Sequence, residues 1–130
     1  MDRTGARAAA MKLLYEWEMG GDGGEDTRLG MLEIKPDENE AEYMETLVSG
    51  VKEHAPELDA AISKYAVGWR LERISRVDLS ILRVAIYEIT VEKLAPAVAV
   101  NEALELARTY STPESVSFIN GILGSLLRGQ

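Results

Sequence analysis

Apolar residues recur at helical spacing along almost the whole chain, and this periodicity limits the available folds more than any other feature. The clearest case follows Ser75-Arg76-Val77-Asp78, which has the spacing of a capping box with Ser75 as the N-cap and Asp78 reaching back. Behind it, the apolar residues form a wide face typical of a central helix: Ile81, Leu82, Ala85, Ile86 and Ile89. Alternation with a period of two is almost absent. The sequence predicts an all-α protein, a compact bundle of about six or seven helices.

Glycine and proline divide the rest of the pattern into helices. The glycine cluster 20–24 ends the first helix, and one weak turn of helix is predicted within 29–34. Pro56 is predicted to end a further helix, and Pro96 to start another. Thr112-Pro113 has the pattern of an N-cap followed by proline at the first helical position.

Composition fits one folded domain over residues 1–130. Hydrophobic residues make up 46% of the 130 residues and charged residues 28%, which excludes overall disorder. No apolar run approaches the roughly 18 residues of a membrane span, and the first ten residues have no apolar block of a secretion signal. Cysteine is absent, which excludes disulfides and cysteine zinc sites. We expect a cytoplasmic protein without a membrane partner.

The net charge of −8 is concentrated in one part of the chain. Residues 21–65 hold four basic and twelve acidic residues, whereas residues 1–20 and 66–130 are each balanced. A polyanion responds to the local field within roughly 8 Å at physiological salt. Net acidity therefore argues against nucleic-acid binding over the whole surface, but not on one neutral or basic face.

No catalytic constellation is present in the sequence. His54 is the sole histidine and stands two residues before a proline, as expected of a solvent-facing residue. The carboxylates lack the spacing of a calcium loop, and the glycine cluster lacks the Lys-Ser/Thr of a phosphate-binding loop. We therefore expect neither an enzyme nor a metal or cofactor site.

Arginines and one phenylalanine are the residues that suggest RNA binding. Arg3 and Arg7 are four residues apart, so both can project from one face of the first helix toward phosphates. Phe118 follows the Thr112 cap by one turn beside polar serines, where it could stack on an unpaired base or belong to the core. A second set of arginines surrounds the predicted central helix and, taken alone, is expected to pair with Glu72, Asp78 and Glu88: Arg70, Arg73, Arg76 and Arg83.

Several motifs in order resemble the NusB family of bacterial transcription antitermination proteins. They are Gly68-Trp69-Arg70-Leu71-Glu72-Arg73-Ile74-Ser75-Arg76-Val77-Asp78, Ile81-Leu82-Arg83-Val84-Ala85-Ile86-Tyr87-Glu88, Ala99-Val100-Asn101-Glu102-Ala103-Leu104-Glu105-Leu106-Ala107 and Phe118-Ile119-Asn120-Gly121-Ile122-Leu123. The opening Arg3…Arg7-Ala8…Leu14-Tyr15 is similar to the family's first helix. The resemblance covers essentially the whole chain.

This resemblance implies an all-helical fold of two small subdomains and a role without catalysis. Family members bind single-stranded boxA RNA together with the ribosomal protein NusE, and help RNA polymerase to read through terminators in ribosomal RNA operons. The residues that correspond to the family's RNA site are Arg3, Arg7, Tyr15, Arg83, Glu114 and Phe118. The family's acidic partner-binding surface corresponds to Glu72 and Asp78. Family members differ between monomer and dimer, so a homodimer is also compatible with the resemblance.

This sequence departs from the family pattern in its basic arm. Many members carry adjacent arginines there, whereas Thr4, Gly5 and Ala6 separate Arg3 from Arg7. Fewer cations release fewer counterions, which predicts weaker RNA binding by the protein alone. We expect packing roles for two further motifs, Asn101-Glu102 and Asn120-Gly121. These roles are a buried amide, an acid that faces a neighbouring helix, and a close crossing of two helices.

Two alternatives stay open from the sequence. The chain could be a helical module for protein interaction or dimerisation, in which RNA is incidental. It could also be the stand-alone, non-catalytic relative of a domain fused to an RNA methyltransferase.

Overall fold

The computed structural model describes residues 3–20 and 38–129, which form five α-helices and one short 3₁₀ turn. The elements are α1 (Arg3–Glu18), α2 (Glu38–Tyr65), the 3₁₀ turn (Leu71–Arg73), α3 (Arg76–Thr90), α4 (Pro96–Tyr110) and α5 (Pro113–Arg128). No strand occurs in these residues, which confirms the all-α prediction, although the predicted helix number was too high for them. The predicted turn within 29–34, and the glycine cluster beyond Gly20, lie outside the described residues.

Helix α3 is the centre of the bundle. Every residue from Asp78 to Ile89 is buried, and α3 contacts each of the other four α-helices. This confirms the central helix predicted from its wide apolar face. The helices α1 and α2 pack together on one side, α4 and α5 on the other, and one continuous cluster of buried residues joins both groups. None of the described helices is both long and apolar enough to cross a membrane.

Two N-caps lie where the sequence predicts them. The Ser75 side chain accepts a hydrogen bond from the Asp78 N–H (3.1 Å), and Thr112 accepts one from the Ser115 N–H (3.1 Å). The predicted return bond from the Asp78 carboxylate is wrong. That carboxylate instead accepts the hydroxyls of Ser111 (2.7 Å) and Ser115 (2.6 Å), because the connection between α4 and α5 folds over the start of α3.

The prediction that Pro56 ends a helix is also wrong, because Pro56 lies inside α2, which is 28 residues long and ends only at Tyr65. An internal proline removes one backbone hydrogen bond and costs about 3 kcal/mol. Val51, Leu58 and Ile62 lie on both sides of Pro56 and are all buried in the same core. Packing of both halves therefore outweighs the local preference.

The family motifs in α4 and α5 have partly different packing roles from those expected. Glu102 is a helix-facing acid, as predicted, since it accepts hydrogen bonds from Thr4 (2.7 Å) and Arg7 (2.7 Å) of α1. Asn101 is exposed, and a Cβ built on Gly121 would meet no atom within 4 Å, so the predicted buried amide and close crossing are wrong. A close contact occurs instead at Gly50 of α2, where a Cβ would lie 2.2 Å from the Tyr87 ring.

Candidate nucleic-acid interface

Arg7 lies inside the protein, with its residue only 5% exposed. Its Nε donates to Glu88 Oε1 (2.8 Å) of α3, and its Nη1 donates to Glu102 Oε1 (2.7 Å) of α4. The Tyr43 hydroxyl of α2 also donates to Glu88. Burial by itself lowers the pKa of Arg7, but the hydrogen bond and charge of Glu88 outweigh it and raise that pKa above its ordinary value. Arg7 therefore stays charged and ties α1 to α3 and α4.

Arg3 lies one turn earlier on α1 but is directed toward solvent. Its side chain is 58% exposed, lies 3.4 Å from Glu40 and places its guanidinium 4.0 Å from the centre of the Tyr43 ring. Exposed ion pairs of this kind are weak. Arg3 can therefore exchange this contact for a phosphate, whereas a phosphate at Arg7 would compete with two carboxylates. Arg3 and Arg7 line one open concavity of about 630 Å³, which also contains Glu40, Tyr43 and Glu88.

Arg83 is likewise internal, with a side chain only 5% exposed. It binds Asp59 of α2 through two parallel hydrogen bonds (2.8 and 2.9 Å) and Glu18 of α1 through a third (2.9 Å). Arg76 donates to the other oxygen of Glu18 (2.8 Å). Burial opposes the ionisation of Glu18, but these arginines outweigh it and hold the pKa of Glu18 below its ordinary value. The arginines of α3 do pair, but with acids of α1 and α2 instead of the nearby acids that the sequence suggested.

Tyr15 is exposed on α1, with 37% of its surface accessible. Lys12 lies one turn away and places its Nζ 4.5 Å from the centre of the Tyr110 ring at the end of α4. This part of the surface therefore combines aromatic rings with a cation, the side chains that single-stranded nucleic acid prefers.

Phe118 is half-buried at the start of α5 and packs against the core. Its ring meets the Trp69 ring edge to face, with centroids 5.5 Å apart and planes inclined at 63°. The two rings line a cavity of about 290 Å³ whose other lining residues are Arg73, Ile74, Ser75, Asp78, Glu114 and Ser115. The structure thus brings together three residues predicted from the sequence, Glu114, Phe118 and Asp78.

The two residues predicted for partner binding differ in exposure. The Glu72 side chain on the 3₁₀ turn is 77% exposed and lies 3.8 Å from Arg70. Asp78 is buried and accepts the two serine hydroxyls described above. Of these two residues, only Glu72 presents a carboxylate that a partner can reach without a change in the fold.

Sequence reasoning did not single out Trp69 and Arg73 as site residues, although both line the cavity beside Phe118. The available signal was the position of Trp69 directly after Gly68, since a glycine favours a turn and turns lie at the surface. Within the described residues, no three histidine, cysteine or acidic side chains are arranged to hold a metal ion.

Comparison with known proteins identifies relatives along nearly the entire chain. The model of the NusB family matches residues 4–128. The transcription antitermination protein NusB of Acetivibrio thermocellus is 47% identical over 130 residues, which cover 98% of this chain and 90% of that protein. The NusB of Symbiobacterium thermophilum is 43% identical over 140 residues, covering 99% of this chain and 91% of that protein.

Solved structures give the same result. A T. maritima NusB structure aligns with a TM-score of 0.84 at 35% identity, covering 98% of this chain and 92% of that one. A chain from the crystal structure of antitermination factors NusB and NusE in complex with dsRNA aligns with a TM-score of 0.86 at 26% identity, covering 98% and 97%. The sequence and structural matches together show that this chain belongs to the NusB family.

Proposed function

We propose that this protein is a transcription antitermination factor that binds single-stranded boxA RNA together with the ribosomal protein NusE. In this proposal it acts on RNA polymerase at ribosomal RNA operons, in the cytoplasm, as one RNA-binding domain over residues 1–130 and without catalysing a reaction. The observation that carries the proposal is the likeness, over 98% of the chain, to a chain from the crystal structure of NusB and NusE in complex with RNA, which is double-stranded there.

The exposed and half-buried members of the predicted site supply the RNA contacts in this proposal. Arg3 contacts phosphate, Tyr15 and Phe118 stack on bases, and Glu114 accepts a hydrogen bond from a base amine. Sequence-specific recognition of RNA targets unpaired bases that stack on aromatic rings, and this supports a single-stranded ligand. The RNA roles predicted for the buried Arg7 and Arg83 stay predictions; their ion pairs indicate that they act by holding α1 in place.

Partner binding is assigned mainly to Glu72. Its exposed carboxylate suits a basic ribosomal protein, whereas the buried Asp78 accepts the Ser115 hydroxyl and so holds the start of α5. The competing proposal is that this protein forms a homodimer.

The test is a titration of fluorescently labelled RNA, followed by anisotropy, with and without NusE. Single-stranded boxA RNA is compared with a scrambled strand and with the boxA duplex. We expect the boxA strand to bind most tightly, NusE to increase its affinity, and added salt to weaken it. Folded protein that binds none of these RNAs, even with NusE, would favour the protein-interaction or dimerisation module, which sedimentation would then identify.

The methyltransferase-related alternative has a separate test. Incubation with boxA RNA and a labelled methyl donor is expected to transfer no label, since the sequence has no G-x-G-x-x-G motif of a Rossmann-like nucleotide site. Transfer of label would contradict the non-catalytic role.

A further inference from the structure

Residues 66–74, the loop between α2 and α3, display a large aromatic ring to solvent. Trp69 is 53% exposed and Val67 is 86% exposed, although most other large apolar side chains in residues 3–20 and 38–129 are not. A tryptophan left partly in water beside concave surface is typical of a binding site, because its ring gains from being covered.

The loop is held rigidly in this conformation. Gly68 has a φ of +81°, in the left-handed region that favours glycine, and the Trp69 N–H donates to the Ala66 carbonyl (3.0 Å). Arg76 donates to the carbonyl of Leu71 (2.8 Å) and also to that of Ile74, so α3 clamps the loop from inside. A ligand would therefore lose little free energy in ordering the loop.

Trp69 separates two concavities of different charge. The cavity shared with Phe118 contains the carboxylates of Glu114 and Asp78. The other, of about 270 Å³, is lined by Gly68, Trp69, Arg70 and Arg73, which include two cations and no acid.

Both cations of the second concavity are available to a ligand. Arg73 is exposed and forms no ion pair with any residue in the described ranges. The Arg70 side chain is 83% exposed and its contact with Glu72 is long, at 3.8 Å. Arg73 lines both concavities, so a phosphate bound by it would lie beside the Trp69 ring.

We propose that Trp69, Arg70 and Arg73 form a second nucleotide-binding site, in which an unpaired RNA base stacks on Trp69 and its phosphate lies against the two arginines. The planes of Trp69 and Phe118 are inclined at 63°, so one flat base can stack fully on only one of them. The two rings therefore bind two neighbouring bases of one strand. This inference rests on the proposed function, because it takes single-stranded RNA as the ligand.

The chain contains two tryptophans, Trp17 and Trp69, which permits a direct spectroscopic test. In the Trp17→Phe variant, Trp69 is the sole tryptophan, and a base stacked on it quenches its fluorescence. The ligands are single-stranded boxA RNA and the same strand with abasic positions. We expect quenching by the first and much less by the second. The fluorescence of the unmodified protein and of Trp69→Phe gives the same comparison should Trp17→Phe fold poorly.

Affinity measurements on labelled boxA RNA complete the test. Trp69→Ala is expected to weaken binding roughly 5- to 150-fold, as loss of one stacked base does, while Trp69→Phe retains most of the affinity. Arg70→Ala and Arg73→Ala should each lower the slope of log K against log salt by about 0.7, the value for one phosphate of a single strand. Val67→Ala, in the same loop, and Arg128→Ala, at the far end of α5, are the matched controls and should leave affinity and slope unchanged.

Three results would overturn this inference, and they differ in what they say of the proposed function. Normal RNA binding by Trp69→Ala, together with no quenching of Trp69 in the Trp17→Phe variant, would remove the second site and leave the proposed function intact. A Trp69→Ala variant that binds RNA normally but loses NusE would make the loop a protein-docking surface. Absence of RNA binding by every variant and by the unmodified protein, even with NusE present, would contradict the second site and the proposed function together.

Discussion

Arg3 and Arg7 carry the same charge one turn apart on α1. The structure nevertheless predicts that alanine at Arg7 mainly lowers the free energy of unfolding, whereas alanine at Arg3 mainly weakens RNA binding. Arg7→Ala leaves the Glu88 carboxylate, whose side chain is 4% exposed, without its cation. Breaking a buried pair from one side costs about 3–5 kcal/mol of unfolding free energy, which corresponds to roughly 10–20 °C in Tm for a chain of this size. Arg3→Ala removes an exposed contact to Glu40 and should cost less than about 1 kcal/mol.

Denaturant unfolding followed by circular dichroism measures both variants, and the RNA titration of each is run below its transition. Arg3→Ala should lower the salt slope of RNA binding by about 0.7, since it removes one phosphate contact. Arg7→Met combined with Glu88→Gln should recover part of the lost stability, because the introduced amide carries no charge and its oxygen still accepts from Tyr43. If Arg7→Ala is as stable as Arg3→Ala, the buried ion pair does not hold α1. If folded Arg7→Ala loses the same salt slope, Arg7 contacts phosphate directly.

The other predictions concern single side chains with distinct roles. Phe118→Ala should cost about 1–2 kcal/mol of unfolding free energy and should weaken RNA binding. This cost is less than the roughly 3–5 kcal/mol of a fully buried phenylalanine, because Phe118 is only half-buried. A larger loss of stability with unchanged RNA affinity would assign Phe118 to the core alone. Glu72→Lys should abolish NusE binding with unchanged Tm and without loss of RNA affinity, because it places a cation beside Arg70; retained NusE binding would remove Glu72 from that surface. Gly50→Ala should destabilise the protein by about 1–3 kcal/mol in a urea melt, because its Cβ meets the Tyr87 ring; a gain in stability would show that the ring moves aside at no cost. Because the pKa of Glu18 is lowered, its contribution to the free energy of unfolding is present above its ordinary pKa and is lost as pH falls through the lowered value. Glu18→Gln should therefore reduce stability at pH 7 and flatten the acid side of the plot of stability against pH. An unaltered acid side would contradict this assignment.

Local signals predicted those parts of the fold that local chemistry determines. The cap at Ser75 and the wide apolar face behind it predicted α3 as a central helix, and Thr112-Pro113 predicted the start of α5, because both depend on residues within a few positions of one another. Pro56 shows the limit of such signals. Its effect on α2 is decided by the core on either side of it, which no short window contains.

The site was less predictable, because its decisive contacts join residues that are distant in sequence. Arg7 meets Glu88 and Glu102 across 81 and 95 positions, and a four-residue spacing from Arg3 says that both share a face but not how deeply each lies. The same holds for Trp69, whose contact with Phe118 brings the loop between α2 and α3 to the start of α5. The resemblance to the family supplied the candidate residues, and only the packing separates exposed from buried ones.

The internal ion pairs give a physical reason to expect that RNA binding by this protein depends on a partner. Arg7, Arg76 and Arg83 neutralise carboxylates of neighbouring helices, so a phosphate would have to compete with these carboxylates for their charges. The arginines left for RNA in the proposed site are few, chiefly Arg3 and the pair in the Trp69 loop. Since each phosphate contact on a single strand contributes about 0.7 to the salt slope, so small a set supports only weak binding by the chain alone. A basic ribosomal partner would add the missing cations next to the stacking rings. That addition matters more in this chain, because its N-terminal arm has fewer adjacent arginines than the arm of many family members.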